Sequence, residues 1–262
     1  VACLHAARSF LLNNRGAIAP GYLADFAIVE DLKNFHVVTV YKRGKLVYDQ
    51  GRVEYFEKPV IPAHLDAQAH DTFHLPRLSA KDFDNNRRKV IIGMVDGQII
   101  TEDKGYADAV DAANDILKMA VVERHHNTGH IGIGYLQGYG LKEGAVATSV
   151  SHDSHNIICV GCNDEDMAFA VNRIAENKGG IVVVKDGAVV AELPLEIAGL
   201  MSSKPLVEVN DLLENAKAAA HALGVGTGID PFMTLSFMAL PVIPTVRLTT
   251  RGVVDVNTQQ YI

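Results

Sequence analysis

The stretch Ser149–Met167 reads SVSHDSHNIICVGCNDEDM and sets two histidines, an aspartate and two cysteines between His152 and Cys162. Its apolar run, Ile157–Val160, is short and has no polar face, as expected of a strand buried on both sides. Asn163-Asp164-Glu165-Asp166 then opens a helix, with a capping residue followed by acidic side chains in the first turn. Met167, Val171 and Ile174 recur on one face of that helix, and Gly179-Gly180 end it. The stretch therefore divides into a polar loop, a buried strand and a helix start, a succession that points to an α/β fold.

Two chemical readings of the same residues are weak. Cysteine and histidine bind zinc, and CxxC is half of many structural sites. Here, however, His155 precedes the strand and Cys162 follows it, and extended residues at about 3.3 Å each hold the pairs too far apart for one tetrahedron. A redox CxxC needs its first thiol exposed at a helix N-terminus, whereas Cys159 falls inside the apolar run. Both cysteines read better as small buried hydrophobes. His152-Asp153-Ser154-His155-Asn156 is different. Five polar residues stand between two apolar strands where a tight turn needs two, and such loops are where sites are built. A second cluster, Glu123-Arg124-His125-His126-Asn127, also follows a strand-like run. If the two strands are neighbours, both clusters share one edge. The residues alone leave a site and a polar turn network equally open.

Outward from this centre, Val146–Val150, Leu117–Val122 and Ile131–Tyr139 read as strands, and Ala107–Leu117 as a helix. Val90–Val95 and Gln98–Thr101 flank Asp96-Gly97, a hairpin signal. Ile181–Val184 and Ala188–Ala191 flank Asp186-Gly187 in similar wording, a faint hint of duplication. Leu206–Leu223 is an amphipathic helix stopped by Gly224. The glycine-rich run Ile131–Gly140 lacks the spacing of a phosphate loop and reads as glycine-relieved strand packing. Upstream, Ala2–Leu12 is helical, and Asp25–Glu30, Val37–Tyr41 and Leu46–Tyr48 are strands. The segment 57–86, with three prolines and His64, His70 and His74, reads as a linker or irregular excursion. The division expected is thus a helix end over 1–15, β-strands over 16–56, the excursion over 57–86 and one α/β domain over 87–262.

The 262 residues are 48% hydrophobic and 21% charged, the composition of an ordinary globular protein with a core of normal size. A net charge of −7 argues against nucleic acid. The basic run Arg87-Arg88-Lys89 reads as a solvated strand entry. Three cysteines form no disulfide framework, so a reducing cytoplasm is the default location. The longest apolar run, Phe232–Ile243, is too short to span a bilayer. The chain begins at Val1 in the middle of a helical pattern, as expected of a processed chain or a fragment.

Three long runs are similar to the C-terminal domain of the bacterial adenine deaminase family: ILKMAVVERHHNTGHIGIGYLQGYGLKEGAVATSVSHDSHN, the continuation from VSHDSHN through EIAGLMS, and DPFMTLSFMALPVIPTVRLTTRGVVDV. NNRGAIAPGYLADFAIVEDL resembles the segment in which an amidohydrolase chain leaves its barrel for a small β-sandwich. The resemblance implies a parent enzyme that converts adenine and water into hypoxanthine and ammonia. A manganese or iron ion in a (β/α)₈ barrel would activate the water that attacks C6 of the purine. It also implies a cytoplasmic homo-oligomer. The family's metal ligands begin with an HxH pair that this chain lacks, so none of them carries over. The expectation is a β-sandwich segment followed by an α/β domain, with the N-terminal barrel half that carries the metal ligands missing from this chain. Its pocket candidates are His152, Asp153, Ser154, His155, Asn156, Glu123, His125 and His126. The competing expectation is a stand-alone binding or assembly module, because strands without partner strands leave edges that favour association.

Overall fold

The computed structural model describes residues 3–53, 60–84 and 89–262, in two compact units that divide after Ile61. Arg87 and Arg88 of the basic run, and the ends of the 57–86 segment, lie outside the described residues.

In the first unit a short helix, α1 (Leu4–Ser9), precedes an antiparallel meander of four strands: β1 (Phe26–Val29), β2 (Val37–Lys42), β3 (Lys45–Asp49) and β4 (Arg52–Val53). The helix ends sooner than its apolar spacing suggests. Leu11 turns left-handed (φ 57°), the Leu12 amide bonds the Ala7 carbonyl and the Leu11 amide bonds that of Arg8. That is a Schellman cap, which ends the helix whatever apolar residues follow. Arg43 and Gly44 both take positive φ, the twist a two-residue hairpin requires. Ala7 is the one buried hydrophobic among this unit's described residues.

The second unit is built on an eight-stranded mixed sheet. Its strands are β5 (Lys89–Met94), β6 (Thr101–Ala107), β7 (Ile116–Val122), β8 (Ile131–Gln137), β9 (Ala145–Thr148), β10 (Ile157–Gly161), β11 (Gly180–Lys185) and β12 (Ala188–Pro194). They lie in the order β12-β11-β9-β10-β7-β8-β5-β6, and β5–β8 is the parallel pair. Both faces are covered, which is why the central strands carry almost no polar residues. On one face Ile158 and Val160 of β10 join Leu117, Met119 and Val121 of β7 under α4 (Leu206–Ala222) and α5 (Pro231–Met238). On the other, Ile157 and Cys159 join Ala120 and Val122 under α3 (Asp164–Glu176). A three-stranded antiparallel sheet, β13 (Val246–Thr249), β14 (Gly252–Asp255) and β15 (Gln260–Tyr261), packs on the first face. The mixed α/β class expected from the sequence is the class observed.

Three local readings change. Ala107–Leu117 is not a helix. A single 3-10 turn, Ala112–Asn114, is held by the Asp111 carboxylate, which accepts from the Asn114 amide and side chain, and Asp115 is left-handed. Short acidic and amide side chains that bond nearby backbone compete with helix here. Gln98 lies in the turn rather than in β6, which starts at Thr101. The described part of the 57–86 segment is also more than an excursion. It forms α2 (Ala63–His70) and a 3-10 turn, Ala80–Phe83, and buries Leu78 and Phe83 in the core under α3. The two similar hairpins, β5–β6 and β11–β12, sit at opposite edges of the sheet, but β5 meets its inner neighbour in parallel and β11 meets its own antiparallel. The likeness stops at the hairpin.

Candidate functional site

Ile157 of β10 pairs with Val122 of β7, so the loops that precede β10 and follow β7 leave the sheet side by side. The two polar clusters therefore meet. His125 Nε2 lies 2.7 Å from the Ser154 carbonyl oxygen, and the Arg124 amide donates to Asn156 Oδ1 at 3.2 Å. Asn156 Nδ2 donates to Ser154 Oγ, which braces the loop from within. From the far side the His152 amide bonds the Ser236 carbonyl, and the His152 ring stacks on Phe237 at 5.1 Å. α5 thus seats the loop. Asp230 caps that helix and Pro231 occupies its first turn, both ordinary start signals.

A pocket of about 320 Å³ opens between this loop and the chain that follows α5. Asp153, Ser154 and Asn156 line one wall with Val121; Ala239, Leu240, Pro241, Val242, Thr249 and Thr250 line the other. One wall is rich in carboxylate, hydroxyl and amide groups and the other is largely apolar, a combination suited to a small flat ligand with polar edges. Gly132 of β8 sets the position of the second wall: a β-carbon there would overlap the Thr249 carbonyl oxygen.

The eight candidate residues take different places. Asp153, Ser154 and Asn156 reach the pocket. His125 touches the loop through Ser154, and His126 is exposed beside it. His152 and His155 do not line the pocket, and their ring centres lie 6.0 Å apart. Glu123 turns into its own loop, accepting the His125 and His126 amides at 2.6 and 2.9 Å and the Thr128 amide and hydroxyl at 3.1 and 3.0 Å. Burial pushes its carboxyl up, but these bonds outweigh it and hold the pKa at about 2. His155 is held below the ordinary histidine value, first by burial and then by the nearby His152 and Arg124. Its Nδ1 and the Ser151 hydroxyl are buried without a hydrogen-bond partner among the described residues.

Sequence reasoning missed Arg124, which is buried beneath the loop, and the whole second wall. The first sat in plain view inside the Glu123–Asn127 run. The second comes from distant sequence and carries no motif.

The cysteines stay out of the site. Cys159 faces α3 and Cys162 faces Leu141, and burial raises both thiols, Cys162 to about 11. Neither is poised as a thiolate. Among the described residues no group of three or more His, Cys, Asp or Glu could hold a metal ion, so these residues do not fit the metal that the family resemblance implies. No described helix is long and apolar enough to cross a membrane.

Comparison with known proteins places these features. Residues 92–260 match the adenine deaminase C-terminal domain, and residues 1–47 match the amidohydrolase family. Adenine deaminase 1 of Rhizobium meliloti (strain 1021) is 44% identical over 98% of this chain, and adenine deaminase 2 of Carboxydothermus hydrogenoformans is 42% identical over 98%. Adenine deaminase of Nitratidesulfovibrio vulgaris (strain DP4) is 41% identical over the whole chain. In each case the alignment covers 46% of the relative, so the chain spans about half the length of the relatives it matches. The polar loop, the C-terminal hairpin and the eight-stranded sheet from Ile92 onward fall within the matched region, and the chain belongs to the adenine deaminase C-terminal domain family.

Proposed function

We propose that this chain is the C-terminal part of an adenine deaminase and that its polar loop helps line the purine pocket of the whole enzyme. The likeness to adenine deaminases along nearly the full chain supports the activity: adenine plus water gives hypoxanthine plus ammonia. The observation that carries the role of the loop is the pocket itself, where Asp153, Ser154 and Asn156 face an apolar wall. Those side chains offer an acceptor for an exocyclic amine and donors for ring nitrogens, and Leu240 and Pro241 offer an apolar surface for a ring face.

The chain's own residues bind and orient in this reading. Activation of water would fall to a metal, manganese or iron, held by the barrel half that the family resemblance implies and this chain does not span. The partners are that barrel half, adenine and further copies of the enzyme in a cytoplasmic homo-oligomer, with no role for nucleic acid or membrane. A specific observation favours a partner layer. The first unit exposes Ile28, Leu46 and Val53 on its strands and buries only Ala7 among its described hydrophobics. A sheet with so little buried surface gains most by covering one face.

The test is to assay adenine deamination by the 262-residue chain and by an enzyme that joins it to a barrel half, each with manganese or iron. Turnover is expected only from the joined enzyme. Robust turnover by the chain alone would overturn the division of labour.

A further inference from the structure

Arg124 is the best-connected side chain behind the pocket. Its guanidinium donates to three segments far apart in sequence: Nε to the His155 carbonyl at 2.6 Å, Nη1 to the Thr72 carbonyl at 2.7 Å and hydroxyl at 3.2 Å, and Nη2 to the Ala198 carbonyl at 3.0 Å. Its Cζ lies 4.2 Å from the centre of the Phe73 ring, and its own carbonyl accepts the His74 amide at 2.7 Å. Only 2% of the residue is exposed. The surroundings are cut to fit it. A β-carbon on Gly199 would come within 2.8 Å of the Phe73 ring and 3.0 Å of Arg124 Nη2, and Gly199 has φ +74°. The turn that Arg124 grips holds the other flank of the loop too, since Ser149 Oγ donates to the Gly199 carbonyl at 2.6 Å. The loop from Ser149 to Asn156 is therefore tied at both ends to Ala198-Gly199, and Arg124 makes the tie at its C-terminal end.

We propose that Arg124 is the positioning residue of this loop: it fixes the His155 carbonyl against the Ala198-Gly199 turn and Thr72, and so sets where Asp153, Ser154 and Asn156 stand in the pocket. It does not line the pocket and acts through the loop. A planar, forked donor is needed because the acceptors lie in different directions around one plane, which a lysine ammonium cannot match. The inference rests on the reading that this pocket serves the purine.

The test uses Arg124→Lys, with Phe73→Leu as a milder second variant that removes the stacked ring and leaves every donor in place. Hydrogen exchange of the 152–156 amides is measured in the 262-residue chain. Adenine kinetics are measured in the joined enzyme, with the natural loop and with Asp153, Ser154 and Asn156 all replaced by alanine. Arg124→Lys is expected to speed exchange in 152–156 by about tenfold or more while leaving β9 and β11 protected, with a smaller rise for Phe73→Leu. It is expected to raise KM by about tenfold with the natural loop and to change it no further with the alanine loop, the signature of residues that act as one unit. Unchanged exchange in both variants, or the same loss in both loop backgrounds, overturns the inference. If the alanine loop alone leaves the kinetics intact, the purine reading fails, and the exchange data still decide whether Arg124 positions the loop. Should Arg124→Lys not fold, Phe73→Leu carries both measurements.

Discussion

Ile157 of β10 faces Val122 of β7 across an antiparallel pair, and this one register brings a loop of five polar residues beside a second polar turn. Their side chains divide the work. Some are spent on the turns themselves, as Glu123 is, and others are left to face the pocket, as Asp153 is.

Glu123 is expected to stabilise the fold in a pH-dependent way. Its carboxyl has a pKa of about 2 against an ordinary value of 4.5. The folded value is depressed, so the stabilisation is complete above about pH 4.5 and is lost as pH falls from there toward 2. A difference of this size corresponds to about 3 kcal/mol. Glu123→Gln keeps the shape and removes the charge. Urea unfolding should show the variant weaker by about 2 kcal/mol at pH 7, with the gap closing as the pH approaches 2.

His155 adds to the same trend at higher pH. Its value in the fold lies below the ordinary 6.5, with burial as the first cause and the neighbouring His152 and Arg124 next. Below about pH 6.5 the unfolded chain therefore binds more protons than the folded one, and stability falls as the solution is acidified. An NMR titration should place the His155 transition below the ordinary histidine value. A value at or above 6.5 would contradict the packing around it.

The thiols are expected to behave as buried hydrophobes. Cys3 is exposed, Cys159 is buried in β10 and Cys162 is half-buried. With a disulfide reagent at pH 8 the native chain should modify Cys3 first, Cys162 slowly and Cys159 only on unfolding. Rapid joint oxidation of Cys159 and Cys162 would revive the redox reading of the CxxC.

Much of this fold is legible in the sequence, for reasons that can be named. Met167, Val171 and Ile174 recur at helical spacing because α3 has one buried face, and Asn163 caps it as an asparagine should. β7 and β10 read as apolar runs because both faces of the sheet are covered. The errors are local competitions. Asp111 and Asp115 draw the chain into turns where periodicity alone suggests a helix. α5 hides in an apolar run, although Asp230 and Pro231 announce it. At the site, the five polar residues between two strands are visible as an anomaly. The wall opposite them is not, because Leu240, Pro241 and Thr249 become its neighbours only through packing of the C-terminal hairpin. Arg124 is a buried charge whose partners are mostly backbone carbonyls, and a sequence carries no sign of those.

The measurement that bears most directly on the central claim is steady-state deamination of adenine by the joined enzyme with Asp153, Ser154 and Asn156 changed to alanine. All three residues line the pocket; Asp153 and Ser154 are exposed, but Asn156 is buried and bonds the Arg124 amide, so the fold of the variant is checked by circular dichroism and the Asp153→Ala, Ser154→Ala double variant carries the same test. If the loop serves the purine, kcat/KM should fall by about tenfold or more, chiefly through KM. Kinetics equal to those of the unaltered enzyme would contradict the claim.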